Sequence, residues 1–183
     1  SLLIGAVISS TDAASVFSVL RSKKLNLRYG TASILELESG SNDPWAYMLT
    51  VIILSVMKGG ATAGGFVVSL LAQVFFGVGF GALISLGAVY LIKRVRFDAA
   101  GFDAIFVTAI AILSYALPSA VGGNGYLSCY IVGIVLGNTK ISGKTALVHF
   151  FDGITGFTQI LLFFLLGLLA FPSQMPSIIL PAA

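Results

Sequence analysis

Glu36-Leu37-Glu38-Ser39-Gly40-Ser41-Asn42-Asp43-Pro44 places three carboxylates and an amide inside a stretch otherwise apolar enough to cross a bilayer. Ionisable groups are costly at that depth and are functional-site candidates by default. One hydrophobic segment earlier lies a second polar island, Ser9-Ser10-Thr11-Asp12, followed by the small residues Ala13, Ala14 and Ser15. Two acidic islands on neighbouring apolar segments raise three questions: what surrounds them, how deep they lie, and what they hold together.

Composition answers the first. Apolar residues make up 57% of the chain and charged residues 9%, against roughly a quarter charged in soluble domains. The expected class is an all-α integral membrane protein embedded in a lipid bilayer. The net charge of +3 does not point to nucleic acid, because the basic residues form no stripe with interleaved aromatics. The single Cys129 excludes an intrachain disulfide. The chain opens within a hydrophobic run, with no initiating Met and no basic leader. It therefore reads as a piece of a longer protein.

At about 20 residues per crossing, hydropathy divides the chain into six spans, at 1–20, 31–57, 64–92, 102–118, 124–138 and 150–171, with a seventh starting at Ser177. Long soluble core helices are the competing reading, but consecutive segments with almost no polar face do not fit it. Nine of the ten basic residues fall on alternate loops: Arg21, Lys23, Lys24 and Arg28, then Lys93, Arg94 and Arg96, then Lys140 and Lys144, leaving Lys58 apart. The positive-inside rule places those loops in the cytoplasm.

Depth follows from helical rise. Asp43 lies roughly 18 Å, and Asp12 roughly 12 Å, from the cytoplasmic ends of their spans at about 1.5 Å per residue. Both are near the midplane, and spans joined by a short loop pack as neighbours, so the two carboxylates can share a cavity. Pro44 has no N–H, which frees the carbonyl of Gly40 and predicts a kinked or loosened helix. Ser9 to Ser15 is a poor helix interior, since Ser, Thr and Asp compete for backbone hydrogen bonds. Broken helices at this depth survive only inside protein or beside a water-filled cavity, and many secondary transporters build ion sites from them. A monovalent cation needs oxygens in place of its water shell. Carboxylate, hydroxyl and freed carbonyl groups provide them.

Spacing assigns roles on the second span. Ser39 and Asp43 are four apart and share a face, as do Glu38 and Asn42 on the adjacent face. Asp43 with Ser39 is the expected ligand pair, and Glu38 with Asn42 the supporting pair. Glu36 falls nearer the cytoplasm, at the mouth of an access path or in a salt bridge. A mid-membrane acid can also be a plain hydrogen-bond anchor between helices, and that reading weighs more for Asp12 and Glu38 than for Asp43.

Other conspicuous residues have bland readings. His149, at a loop end, reads as an interfacial residue rather than a pH sensor. Asp152 reads as capping the N-terminus of the sixth span, and Gln159 as an interhelical hydrogen bond. Gly77, Gly79 and Gly81 read as close helix packing, and Tyr126 and Tyr130 as interface or packing aromatics.

Thr11-Asp12-Ala13-Ala14 on one span and Glu38-Ser39-Gly40-Ser41-Asn42-Asp43-Pro44 on the next resemble the monovalent cation/proton antiporter family of the sodium/proton exchanger superfamily, most of all the potassium/proton antiporters of the cell volume regulation protein A type. The resemblance continues through Asn124-Gly125-Tyr126-Leu127, Gly133 to Asn138, Phe151-Asp152-Gly153 and Phe163 to Ser173, so it covers essentially the whole chain. It implies a polytopic helix bundle with a broken transmembrane helix. Residues 1–57 would then hold the first half of the ion site and 64–171 the panel or scaffold helices, while the second broken helix of the inverted repeat lies elsewhere. It implies that Asp43 is the transported-ion carboxylate, that Thr11 and Asp12 sit where unwound helices cross, and that Asn42 marks the electroneutral branch. Ser39, Glu38, Gly40 and Pro44 complete the motif. A bacterial inner membrane, a homodimer of the full-length protein, and K⁺ or Na⁺ with H⁺ as cargo follow from the same resemblance, with no other cofactor and no catalysis.

The coupling expected is competition. Desolvation favours the neutral form of a carboxyl, so Asp43 holds either a proton or a cation, and with Asn42 uncharged a one-for-one exchange moves no net charge. Two other classes use similar parts. An intramembrane aspartyl protease also puts an Asp on each of two adjacent spans, although Ser41-Asn42 does not resemble its Gly-x-Gly-Asp pattern. A sodium-coupled solute symporter uses the same broken helices.

Overall fold

A computed structural model describes residues 2–11, 31–59, 63–94, 101–141 and 143–170. They form six helices: α1 (Leu2–Ile8), α2 (Thr31–Met57), α3 (Ala63–Arg94), α4 (Phe102–Ala120), α5 (Gly125–Asn138) and α6 (Lys144–Leu169). The chain divides into two compact units, Ser1–Lys140 and Ile141–Ala183.

Within the first unit α5 is the hub. It packs most extensively against α3, then α4, and also touches α2, while α1 lies against α2. The distribution of side chains is inverted relative to a soluble protein. Small and polar groups fill the interior, among them Ala46, Ser85, Ala88, Ser114 and Ser128, while α3 turns Phe75, Leu83 and Leu86 outward, Phe75 being 75% exposed. Lipid offers no hydrophobic drive between helices, so close approach of small residues takes over. A Cβ on Gly77 would come within 2.9 Å of the Asn124 carbonyl oxygen, and one on Gly81 within 3.1 Å of Ile131. These two glycines form the packing seam expected of them; around Gly79 there is open space.

Helix ends follow local chemistry. α2 stops at Gly59, whose φ of 76° suits a residue without Cβ. Lys93 and Arg94 fall in the last turn of α3, where cations favour the dipole. The side chain of Asn124 caps α5 by accepting from the N–H of Leu127 at 3.1 Å.

The predicted spans at 64–92, 102–118 and 124–138 match α3, α4 and α5 closely. Of the described helices, α3, α4 and α6 are both long and apolar enough to cross a membrane, which makes the chain a multi-pass membrane protein. α2 is 27 residues long but carries the acidic island, and α5, with 14 residues, reaches about 21 Å, short of a hydrocarbon core of about 30 Å.

Expectations for the sixth span need correction, and the two expected weak points behave differently. The final predicted span opens at Lys144, not at residue 150, after Gly143 in the left-handed region. Hydropathy misses the start of this helix because Lys144, Thr145 and His149 lower its mean there. Asp152 is therefore in the helix interior rather than at its N-terminus, and His149 sits within α6 rather than at a loop end. At Pro44, α2 runs on without interruption. Neighbours bond to carbonyls on either side of the freed Gly40 carbonyl: Tyr130 donates its hydroxyl hydrogen to that of Leu37 at 3.0 Å, and Asn124 donates from Nδ2 to that of Pro44 at 3.0 Å. In the first predicted span, the helix ends at Ile8, and Ser9, Ser10 and Thr11 are non-helical. The weakness expected at Ser9 to Ser15 is thus present in its described part, Ser9–Thr11, while α2 stays helical through Pro44.

A candidate ion site between α1 and α2

Pro44 is the central residue of α2, so the acidic island occupies the middle of the longest polar helix. Against it lies the end of α1. Once the helix stops at Ile8, the Ser9 hydroxyl turns back to the carbonyl of Ala6 at 2.7 Å, and the next two residues are free to reach across.

Ser10 reaches Asp43, its hydroxyl donating to Oδ1. Thr11 reaches the other face. Its carbonyl accepts from Ser39 Oγ at 2.7 Å, and its own hydroxyl oxygen accepts from Asn42 Nδ2 at 2.7 Å. The one Thr11 hydroxyl hydrogen has two acceptors in reach, Ser39 Oγ at 3.1 Å and Glu38 Oε2 at 3.4 Å. Ser39 has committed its own hydrogen to the Thr11 carbonyl, so its oxygen is free to accept and lies nearer. Asn42 also donates to Glu38 Oε1 at 3.0 Å, which fixes its amide orientation, because a carboxylate oxygen needs the N–H side.

The pairing of Glu38 with Asn42 is thus present. Asp43 and Ser39, grouped by spacing, turn to different partners: Ser39 is buried and joined to Thr11, whereas Asp43 is exposed and joined to Ser10. Asp43 and Ser10 line a cavity of about 400 Å³ together with Val7, Ala46, Tyr47, Thr50 and Tyr126. The Tyr47 and Tyr126 rings meet with centroids 4.6 Å apart, and Tyr115 packs edge-on to Tyr126 at 5.2 Å. Asn42 Oδ1 is buried with no partner among the described residues.

Gly40 belongs to the site through its bareness. A Cβ there would fall 2.7 Å from Cε2 of Tyr130, so the glycine lets Tyr130 come close enough to hold the Leu37 carbonyl. Asp12 and the small residues after it lie outside the described residues. So does the side chain of Glu36.

Sequence reasoning passed over three residues. Ser10 was in plain view within the polar island, but no spacing rule linked it to Asp43, 33 positions away. Asn124 and Tyr130 gave less signal, because both act on backbone carbonyls, which no motif records.

Chemically the junction is a set of hard oxygen donors: one carboxylate exposed in a cavity, several hydroxyls, a backbone carbonyl and an unpaired amide oxygen. Among the described residues no three His, Cys, Asp or Glu side chains come together as a metal centre. Such a set suits an exchangeable cation with a weakly held water shell.

Over residues 1–183 the chain matches the family described as "Sodium/hydrogen exchanger, transmembrane". It is 40% identical over 185 residues to the K(+)/H(+) antiporter NhaP2 of Shewanella oneidensis, covering 98% of this chain and 31% of the relative. It is 38% identical over 184 residues to the K(+)/H(+) antiporter NhaP of Alkalimonas amylolytica, covering 99% and 32%. It is also 28% identical over 179 residues to a Methanocaldococcus jannaschii protein named "Probable Na(+)/H(+) antiporter 2", covering 91% and 41%. The chain spans about a third of the length of the first two relatives. No solved structure matches this chain.

Proposed function

The chain belongs to the sodium/hydrogen exchanger family, and from that premise we propose that residues 1–57 form one half of the ion site of a transporter exchanging a monovalent cation for a proton. The observation that carries this is the junction of the Ser9–Thr11 stretch with α2, where Ser10 meets Asp43 and Thr11 meets Ser39. Asp43 is the exchanging group. Protonated, it is neutral; deprotonated, it attracts a cation, whose remaining ligands come from Ser10, Ser39, the hydroxyl and carbonyl of Thr11, and residues elsewhere in the full protein. Asp12 is a further ligand on the same reading.

Competition for one carboxylate couples the two flows. The loaded forms, protonated or cation-bound, allow the site to change the side it faces, while the bare anion is too costly to carry. Asn42 adds no charge of its own beside Asp43, so one cation exchanges for one proton and the exchange is electroneutral. K⁺ is the favoured cargo, from the names of the relatives at about 40% identity; Na⁺ is the alternative. The full-length protein is placed in the bacterial inner membrane as a homodimer, with 64–171 as panel or scaffold helices and the second broken helix lying outside 1–183. It acts as a transporter and catalyses no covalent chemistry.

The test is Asp43→Asn in the full-length protein, assayed in everted vesicles for dissipation of a pH gradient by added K⁺ or Na⁺. The expected result is loss of cation-dependent proton movement with unchanged protein level. Persistence of that movement overturns the reading. Uptake of an organic solute driven by Na⁺, in place of cation-dependent proton flux, would assign the site to a symporter.

A further inference from the structure

Asn124 makes more of its polar atoms than any other buried residue near the site. Its side chain is fully buried, at 0% exposure, yet each polar group is used. Oδ1 caps α5 through the Leu127 N–H, the backbone N–H donates to the Gln73 carbonyl on α3 at 3.1 Å, and Nδ2 donates to the Pro44 carbonyl on α2 at 3.0 Å. One residue therefore ties three helices. Six positions on, Tyr130 donates its hydroxyl hydrogen to the Leu37 carbonyl on α2. The two carbonyls lie on either side of Ser39, Asn42 and Asp43.

Pro44 makes this grip consequential. A helix holding a proline lacks one backbone bond and has more freedom to bend and twist there. A rotation of α2 about its axis at that point would carry Asp43 away from Ser10 and Ser39 away from Thr11 together. α5 in turn is held to α3, since Gly77 and Gly81 bring the Asn124–Ile131 stretch into close contact. We propose that Asn124 and Tyr130 are positioning residues: α5 grips the Leu37 and Pro44 carbonyls and so sets the rotation of α2 that presents Asp43 to the transported ion. Neither residue touches the ion. The proposal rests on the reading of Asp43 as the exchanging group.

Two substitutions separate positioning from stability. Tyr130→Phe removes one hydroxyl and leaves the ring against Gly40. Asn124→Ser keeps a residue able to cap α5 while its shorter side chain no longer reaches Pro44. Both are made in the full-length protein and assayed in everted vesicles over a range of K⁺ and Na⁺ concentrations, alongside thermal unfolding of the purified protein. The expected result is a rise of about 3- to 10-fold in the half-saturating cation concentration for each variant, the scale of one lost hydrogen bond, with the maximal rate changed less and a folded protein recovered. An unchanged half-saturating concentration in both variants overturns the proposal, as does a loss confined to the yield or melting temperature. Failure of the exchange reading registers separately, as activity that survives Asp43→Asn while Asn124 and Tyr130 are intact.

Discussion

The Ser10 hydroxyl donates to Asp43 Oδ1 across 33 positions of sequence, and it can do so because the α1 helix has already ended at Ile8. In a continuing helix the Ser10 side chain would be one of several on a rotating surface. Outside it, the residue is free to follow the carboxylate.

Ser10→Ala should therefore impair the site without impairing the fold, since Ser10 is exposed. A hydrogen bond to a charged group contributes about 1.5–3 kcal/mol. The half-saturating cation concentration should rise about tenfold or more, with normal membrane levels of the full-length protein. Titrating cation against the collapse of a pH gradient checks it; a change of less than twofold would show that Ser10 is incidental.

Thr11 offers a cleaner comparison. Thr11→Val has nearly the same shape but deprives Asn42 of the acceptor at 2.7 Å and Ser39 of its hydroxyl neighbour at 3.1 Å. Thr11→Ser keeps both. The valine variant should lose cation affinity by about 5- to 150-fold, for about 1–3 kcal/mol of lost pairing, while the serine variant stays close to the parent. Equal behaviour of the two would remove the hydroxyl from the site.

Asn42→Asp changes charge and hydrogen bonding together. Asn42 now donates to Glu38 Oε1 and Thr11 Oγ1; a carboxylate in its place would face Glu38 with like charge. On the electroneutral reading, exchange by this variant should become sensitive to membrane potential, whereas the parent is insensitive. Measuring flux with the potential clamped at zero and then imposed decides the matter.

Gly40→Ala tests the approach of α2 to α5. The new methyl would lie 2.7 Å from the Tyr130 ring, too close for a carbon contact. Overpacking of this kind costs about 1–3 kcal/mol. The melting temperature of the purified full-length protein should fall, and a second change of Tyr130→Ala, by making room, should restore part of it.

Hydropathy located α3, α4 and α5 well because each is bounded by charge or glycine and buries small residues against lipid-facing large ones. It misplaced the start of α6, since Lys144, Thr145 and His149 make its opening residues more polar than the rest. Of the two expected weak points, Ser9 to Thr11 does leave the helix, whereas α2 stays helical through Pro44. How α2 accommodates Pro44 is a tertiary matter, whereas Ser9 turns back to the carbonyl of Ala6 through a local bond of its own. Within the site, the Glu38–Asn42 pair was legible because helical spacing alone creates it. Ser10 with Asp43, and Asn124 with Pro44, were not, because each depends on how one helix meets another.

Thr11 contributes a backbone carbonyl to the junction, accepting from Ser39 at 2.7 Å, and that oxygen is present whatever side chain position 11 carries. Replacement scans are thus blind to it: they report the hydroxyl and overlook its neighbour. A residual activity in every Thr11 variant would mark an atom that genetics cannot delete, and only a change to the main chain itself, such as an ester in place of the amide that follows Thr11, would weaken it.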